Sequence, residues 1–138
     1  MSQPIVEPYL FFPGTCAEAI EFYQSALGAN LGYLLRMKDA PEQPPGGFPP
    51  EQADKIMHAS FRIGETTIMA SDGCGEAEPF GGISLSLAVQ TEAEAERYFN
   101  ALAEGGKITM PLAKTFWSPR FGCVTDKFGV SWMINTRS

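Results

Sequence analysis

The sequence predicts an α+β fold made of two β-α-β-β-β modules. Three observations carry that reading. Two stretches of helical spacing each open on a threonine with a glutamate three residues later, Thr15 with Glu18 and Thr91 with Glu94. That is the pattern of a capping box, in which the hydroxyl and the carboxylate satisfy first-turn amides. Each helix stops at glycine, Gly28 or Gly105, and is preceded by one apolar run and followed by three more. A hairpin glycine marks each half, Gly64 and Gly129, and the interval from capping threonine to hairpin glycine is 49 residues in the first half and 38 in the second. The surplus falls in a proline-rich loop. A four-stranded sheet with one helix has only one face covered. Two such halves, in one chain or across a dimer, would curve around a shared cleft.

Taken in order, residues 5–12 are short, apolar and aromatic, and read as a strand. Pro13 and Gly14 end it. Cys16, Ile20, Tyr23 and Leu27 recur at helical spacing behind Thr15. Residues 31–37 form the next strand. Residues 38–53 hold five of the eleven prolines and read as a mobile loop, a lid or a dimer contact. Strands at 55–63 and 66–71 turn at Gly64 and Glu65. Residues 72–82, rich in glycine and acidic side chains, read as a linker between modules at about 1–73 and 81–138 of a single domain. The second half repeats the order: a strand at 83–89, then a helix with Ala95, Phe99 and Leu102 on one face. Residues 107–115 contain Pro111, which suits an edge or bulged strand. Residues 116–135 form a hairpin whose turn, Asp126 to Gly129, has the residues that a tight reversal favours.

Composition narrows the function. Sixteen acidic residues against ten basic ones disfavour nucleic acid and anionic membrane as partners. No apolar run reaches the roughly 20 residues that span a bilayer. The start, MSQPIVEPY, has no basic region or signal-like apolar core, so export is not expected. Cys16, Cys74 and Cys123 make neither a disulfide framework nor a zinc motif, which points to a reducing cytoplasm.

Several side chains invite a functional reading, each beside a plainer one. Trp117 and Arg120 precede the last hairpin. They either close the end of a core, with the arginine paired to a surface carboxylate, or meet a small anionic or aromatic ligand. His58 is the single histidine, in a strand with no second ligand at metal spacing. Cys16 opens a helix, where a thiol pKa can fall, yet its spacing places it on the buried face. Asp126 reads as a turn residue and Trp132 as core. In 83–89, Leu85, Leu87 and Val89 alternate with Ser84, Ser86 and Ala88, one face for the core and one small and mildly polar.

Four stretches in order, PYLFFPGTCAEAIEFY, DKIMHASFRIG, MASDG and FWSPRFGCVTDKFGVSW, resemble the PhnB-like branch of the vicinal oxygen chelate superfamily. The superfamily includes glyoxalase I, bleomycin-resistance proteins and extradiol dioxygenases. The resemblance covers essentially the whole chain and implies the glyoxalase/bleomycin resistance fold, with a swapped homodimer as the assembly. Metal-dependent relatives place one ligand on each of four cleft strands. Those positions fall here on Pro8, Met69, Ser84 and Met133, none of them a usual ligand of a hard divalent metal, with Glu7 the one acidic neighbour. No metal and no other cofactor is therefore expected.

Leu10, Phe12, Met69 and Met133 are expected to line the cleft with Ser84 and Ser86, with His58 beside them and Trp117 and Arg120 at the mouth. The resulting expectation is a metal-free cleft that binds a small organic molecule. Two alternatives stand beside it. One is a lyase, isomerase or dioxygenase of the glyoxalase type whose metal ligands lie elsewhere, and the other is a structural or regulatory dimer with no ligand. PhnB-like proteins carry the label of a 3-demethylubiquinone methyltransferase. Nothing in this sequence resembles a glycine-rich methyl-donor loop after a strand, so methyl transfer is not expected.

Overall fold

The computed structural model describes residues 3–73 and 79–137. Cys74 and the middle of the expected linker lie outside them. The chain divides into two compact units, Met1–Glu78 and Pro79–Ser138. In the first, β1 (Tyr9–Phe11), α1 (Cys16–Leu27) and β2 (Asn30–Arg36) lead through a 3-10 turn (Met37–Asp39) and α2 (Pro50–Ala53) to β3 (Ile56–Ile63) and β4 (Thr66–Ser71). In the second, β5 (Leu85–Val89) and α3 (Glu92–Ala103) precede β6 (Lys107–Ala113), β7 (Phe121–Thr125) and β8 (Ser131–Thr136). The sheet orders are β1-β4-β3-β2 and β5-β8-β7-β6. In each, the first strand runs parallel to the last and the remaining pairs are antiparallel. The β-α-β-β-β repeat expected from the sequence is thus present twice, with one topology.

Each helix covers one face of its own sheet. Cys16, Ala19, Ile20, Tyr23 and Leu27 are the buried face of α1, and Tyr23 stacks on Phe61 of β3 at 5.8 Å between ring centroids. Ala95, Phe99 and Leu102 are the buried face of α3. A Cβ on Gly122 would lie 2.8 Å from the Phe99 ring and 3.0 Å from Leu112 Cα, so β7 has glycine where helix and neighbouring strand close on it. Val124, Trp132 and Ile134 complete that core.

The two helix starts differ. Thr91 caps α3, its hydroxyl accepting from the Glu94 N–H at 3.1 Å and itself lying 3.1 Å from the Glu94 carboxylate. Thr15 makes no side-chain cap bond. The carboxylate of Asp72 takes its place. Oδ1 accepts from the Cys16 N–H at 2.9 Å and Oδ2 from the Ile56 N–H at 2.7 Å. A charged acceptor bonds a buried amide more strongly than a hydroxyl does. Asp72, expected in a linker, is 7 % exposed and ties α1 and β3 to the end of β4.

Other boundaries shift for local reasons. The ladder of β1 spans three residues, not 5–12, since Pro4 and Pro8 cannot donate to it and Ile5 and Val6 stand 78 % and 99 % exposed. Strand β5 starts at Leu85 because Gly82, at φ 72°, still turns the chain. Strand β6 is an edge with two register irregularities around Pro111. The proline-rich loop contains the 3-10 turn and α2. It is tied by Lys38 to Asp54 at 2.8 Å and by the Gln43 amide to the carbonyls of Lys38 and Ala40.

Two outcomes follow. Asp72→Ala strands two buried amides and should lower stability by about 3 kcal/mol, with Asp72→Asn intermediate, read as a fall in urea midpoint at unchanged slope. Burial, with the Asp72 charge second, pushes the Cys16 thiol up to about 12 from 9.0. A raised pKa favours the protonated thiol in the folded state. Its contribution is fully present below pH 9.0 and lost as pH climbs toward about 12. Wild type should therefore lose stability faster than Cys16→Ala over that window, by up to about 1.4 kcal/mol per pH unit.

Candidate functional site

In the second unit the sheet face turned away from α3 carries the small polar side chains. Strand pairing sets Ser86 opposite Met133 and Met133 opposite Cys123, with Thr125 opposite Ser131 at one end and Phe121 opposite Asn135 at the other. The Ser84 and Ser131 hydroxyls meet at 2.7 Å. Around them lies a depression of about 540 Å³ lined by Phe80, Ile83, Ser84, Thr125, Ser131 and Met133, with Gly81, Gly82 and Gly129 leaving room. Among the described residues no lining side chain is ionisable. Further along β8, the Asn135 side-chain oxygen is buried without a hydrogen-bond partner among the described residues. Burial raises the Cys123 thiol pKa. The alternation read at Ser84, Ser86 and Ala88 and the core position of Trp132 agree with this arrangement.

In the first unit the face turned away from α1 is aromatic. Tyr9 and Phe11 lie with ring centroids 4.8 Å apart, and His58 lies 5.7 Å from Tyr9 and 6.1 Å from Tyr33. The Tyr9 hydroxyl and His58 Nδ1 are 3.1 Å apart, within hydrogen-bond distance. Met69 pairs with Tyr9 on one side and Ser60 on the other, on this face. Leu10 and Phe12 do not belong to it. They are 1 % and 0 % exposed, on the α1 side, where Leu10 pairs with Ala70. The run Tyr9-Leu10-Phe11-Phe12 has no polar alternation to set its parity, so the sequence does not single out Tyr9, Phe11 or Tyr33 as facing a site. A signal was available: strand β1 must share its parity with β4, where small Ala70 and large Met69 alternate.

The 114–120 segment forms a second depression, also of about 540 Å³, lined by Glu92, Lys114, Thr115, Phe116, Trp117, Ser118, Pro119 and Arg120. It shares no lining residue with the depression at Ser84. Trp117 stands 52 % exposed, edge-on to Phe116 at 4.7 Å and to Phe121 at 5.3 Å. Arg120, expected as a polar anchor, is already paired. Its Nε lies 3.2 Å from Glu92 and its Nη2 2.9 Å from Glu96. The plainer reading of Arg120 is the observed one.

The sequence model of the family described as 3-demethylubiquinone-9 3-methyltransferase matches residues 4–135. This chain belongs to that family. Protein YjdN of Escherichia coli strain K12 is 44% identical over 140 residues, which cover 94% of this chain and 93% of YjdN. Protein PA1353 of Pseudomonas aeruginosa is 46% identical, with 98% of each chain covered and a TM-score of 0.87. The PhnB protein of Bacillus cereus is 29% identical, with 96% of this chain and 99% of that one covered and a TM-score of 0.79. At the level of fold alone, a glyoxylase/bleomycin resistance protein/dioxygenase domain from Frankia sp. EAN1pec covers 100% of this chain and 94% of its own at 15% identity and a TM-score of 0.66. The PhnB-like resemblance and the glyoxalase/bleomycin resistance fold are both borne out.

The metal that the superfamily resemblance raises can be tested against this chain's donors. Of the four positions that the resemblance carries over, Pro8 and Met69 are neighbours in the first unit, where the Met69 N–H donates to the Pro8 carbonyl at 3.0 Å. Ser84 and Met133 line the depression of the second. A proline, two thioethers and a hydroxyl already bonded to Ser131 do not suit a hard divalent ion. No three His, Cys, Asp or Glu side chains cluster for a metal among the described residues. No helix there is long and apolar enough to cross a membrane.

Arg120 is half-buried and holds two exposed carboxylates, which limits its worth to about 1 kcal/mol. Arg120→Ala should lower stability by no more than that in chemical denaturation, and the difference should shrink in high salt as the pairs are screened.

Proposed function

We propose that this PhnB-like chain binds a small, largely apolar organic molecule without a metal, in the depression at Ser84, Ser131 and Met133. The observation that carries the reading is the lining itself. Apolar walls from Phe80, Ile83 and Met133 surround three hydroxyls, with no ionisable group among the described lining residues. Pockets for small organic molecules are built that way, mostly apolar with a few placed polar groups. Methionine adapts its shape to a ligand, and the Ser84–Ser131 pair offers both a donor and an acceptor. Beyond the lining, on the same face of β8, the Asn135 side-chain oxygen has no hydrogen-bond partner among the described residues and is a further acceptor for a ligand long enough to reach it. In the first unit, Met69 and the rings of Tyr9, Phe11 and Tyr33 supply a second, mostly apolar face, which differs in carrying the ionisable His58. Sequestration, with no covalent step, is the activity this chemistry supports, and a homodimer is the assembly that the family resemblance suggests.

Methyl transfer, the activity in the family's description, has little support in the residues. Glycine-rich loops that hold a nucleotide cofactor follow a strand and open a helix. Here the β1–α1 connection is Phe12-Pro13-Gly14-Thr15 and the β5–α3 connection is Gln90-Thr91, with one glycine between them. A metal-dependent lyase or dioxygenase would need donors other than the four positions described.

The test is a thermal shift on protein purified without chelator. Zinc, manganese and nickel should leave the melting temperature unchanged. A panel of small uncharged aromatics and amides should contain members that raise it saturably, as binding to the native state requires. Ser84→Phe, which fills the depression, should abolish that rise. A stoichiometric metal, or turnover of a labelled methyl donor, would overturn the reading.

A further inference from the structure

We infer that the depression at the 114–120 segment is a separate binding site, for a flat aromatic molecule that carries one carboxylate. Phe116 and Trp117 supply its ring surface and the Lys114 ammonium its charge. The loop is built to hold those rings out. The Thr115 hydroxyl accepts from the backbone N–H groups of Trp117 and Ser118 at 3.3 and 3.1 Å, and the Thr115 N–H donates to the Ser118 carbonyl at 2.9 Å. Ser118 is buried, its hydroxyl 2.8 Å from the Arg120 carbonyl and 2.7 Å from that of Thr136. Yet Phe116, between these fixed points, is 97 % exposed. Apolar surface held rigidly in water binds a ligand without a further ordering cost, and aromatic faces favour an aromatic ligand.

Charge selects within that class. Arg120 is engaged by Glu92 and Glu96, two carboxylates for one guanidinium. Lys114 lines the same depression and has no hydrogen-bond or ion-pair partner among the described residues. It is the cation open to a ligand carboxylate. Glu92, also in the wall, repels a second negative charge, so a mono-anion fits better than a dianion. A volume of about 540 Å³ lies in the range of small-molecule sites.

Tryptophan emission reads the site directly. Trp117 is half exposed, whereas Trp132, the other tryptophan, is 2 % exposed and bonded to Asp126. Benzoate, with excitation at the red edge of the tryptophan band, should change the emission saturably. Benzyl alcohol, with the ring but no charge, and cyclohexanecarboxylate, with the charge but no ring, should each bind more weakly. Lys114→Gln, an exposed substitution, should weaken benzoate about fivefold, and added salt should weaken the wild type toward the same level. In Trp117→Phe the emission response should vanish. Three results would each overturn the inference: no saturable response, equal benzoate affinity in Lys114→Gln, or a response that persists in Trp117→Phe. None of them touches the depression at Ser84, whose test uses uncharged ligands and Ser84→Phe.

Discussion

The first unit depends on one buried carboxylate. Asp72 stands just past the end of β4, where its two oxygens take the first amide of α1 and the first amide of β3, and its own N–H donates to the Ile56 carbonyl at 2.9 Å. The start of α1 is thereby fixed to the β3–β4 hairpin, distant from it in sequence, at one point. Removing a carboxylate from water is costly, and only charge-assisted bonds to amides that would otherwise be orphaned offset it. Cys16 shares the consequence. Buried beside that charge, its thiol stays protonated and behaves as a small apolar side chain, not a nucleophile.

The second unit uses the same device in another place. Asp126 accepts from the Phe128 and Val130 amides and from the Trp132 indole, while its own backbone closes the turn to Gly129 and Val130. Duplicated topology thus comes with non-duplicated anchoring. In one unit the carboxylate follows the last strand and caps the helix. In the other it sits between β7 and β8 and locks the hairpin, and the helix is capped by Thr91. A sequence motif reports the role only where the partner is local. Asp126 and Thr91 bond within a few residues, so both were legible. Asp72 bonds across 56 and 16 residues, and nothing in the neighbouring sequence signals it.

That contrast between local and distant partners explains the rest of what could be read. Helices, the Gly28 stop, the hairpins and the order of elements are short-range, and they came through with boundaries shifted by prolines and by Gly82, whereas the C-cap of α3 is Glu104, one residue before Gly105, and the Thr15 box gave way to Asp72. Which face a strand presents depends on polar alternation along it. At Ser84 to Val89 the alternation is clean and the face was legible. At Tyr9 to Phe12 every residue is large and apolar, so parity is set by the partner strand, and Leu10 and Phe12 exchanged places with Tyr9 and Phe11. The identity of Arg120's partners was out of reach for a similar reason. Arg120 and its carboxylates on α3 are separated by 28 residues in one case, a distance over which composition carries no pairing information.

The fold leaves the chemistry of its faces free. Each sheet is stabilised on its helix side, by Tyr23 against Phe61 in one unit and by Phe99 over Gly122 in the other. The opposite face contributes little to either core. Substitutions there are constrained by packing only weakly, so hard-metal donors can be exchanged for methionine and serine without disturbing the topology. What such a face retains is shape: pleated walls, small side chains at the centre, and glycines at the rim near Ser84. On the proposed reading, a surface with those properties and soft, neutral side chains discriminates by size and apolar contact. The aromatic rings and the cations Lys114 and Arg120 lie instead on the 114–120 segment, beside Glu92 at the start of α3, where a hydrogen-bonded turn presents the rings to solvent.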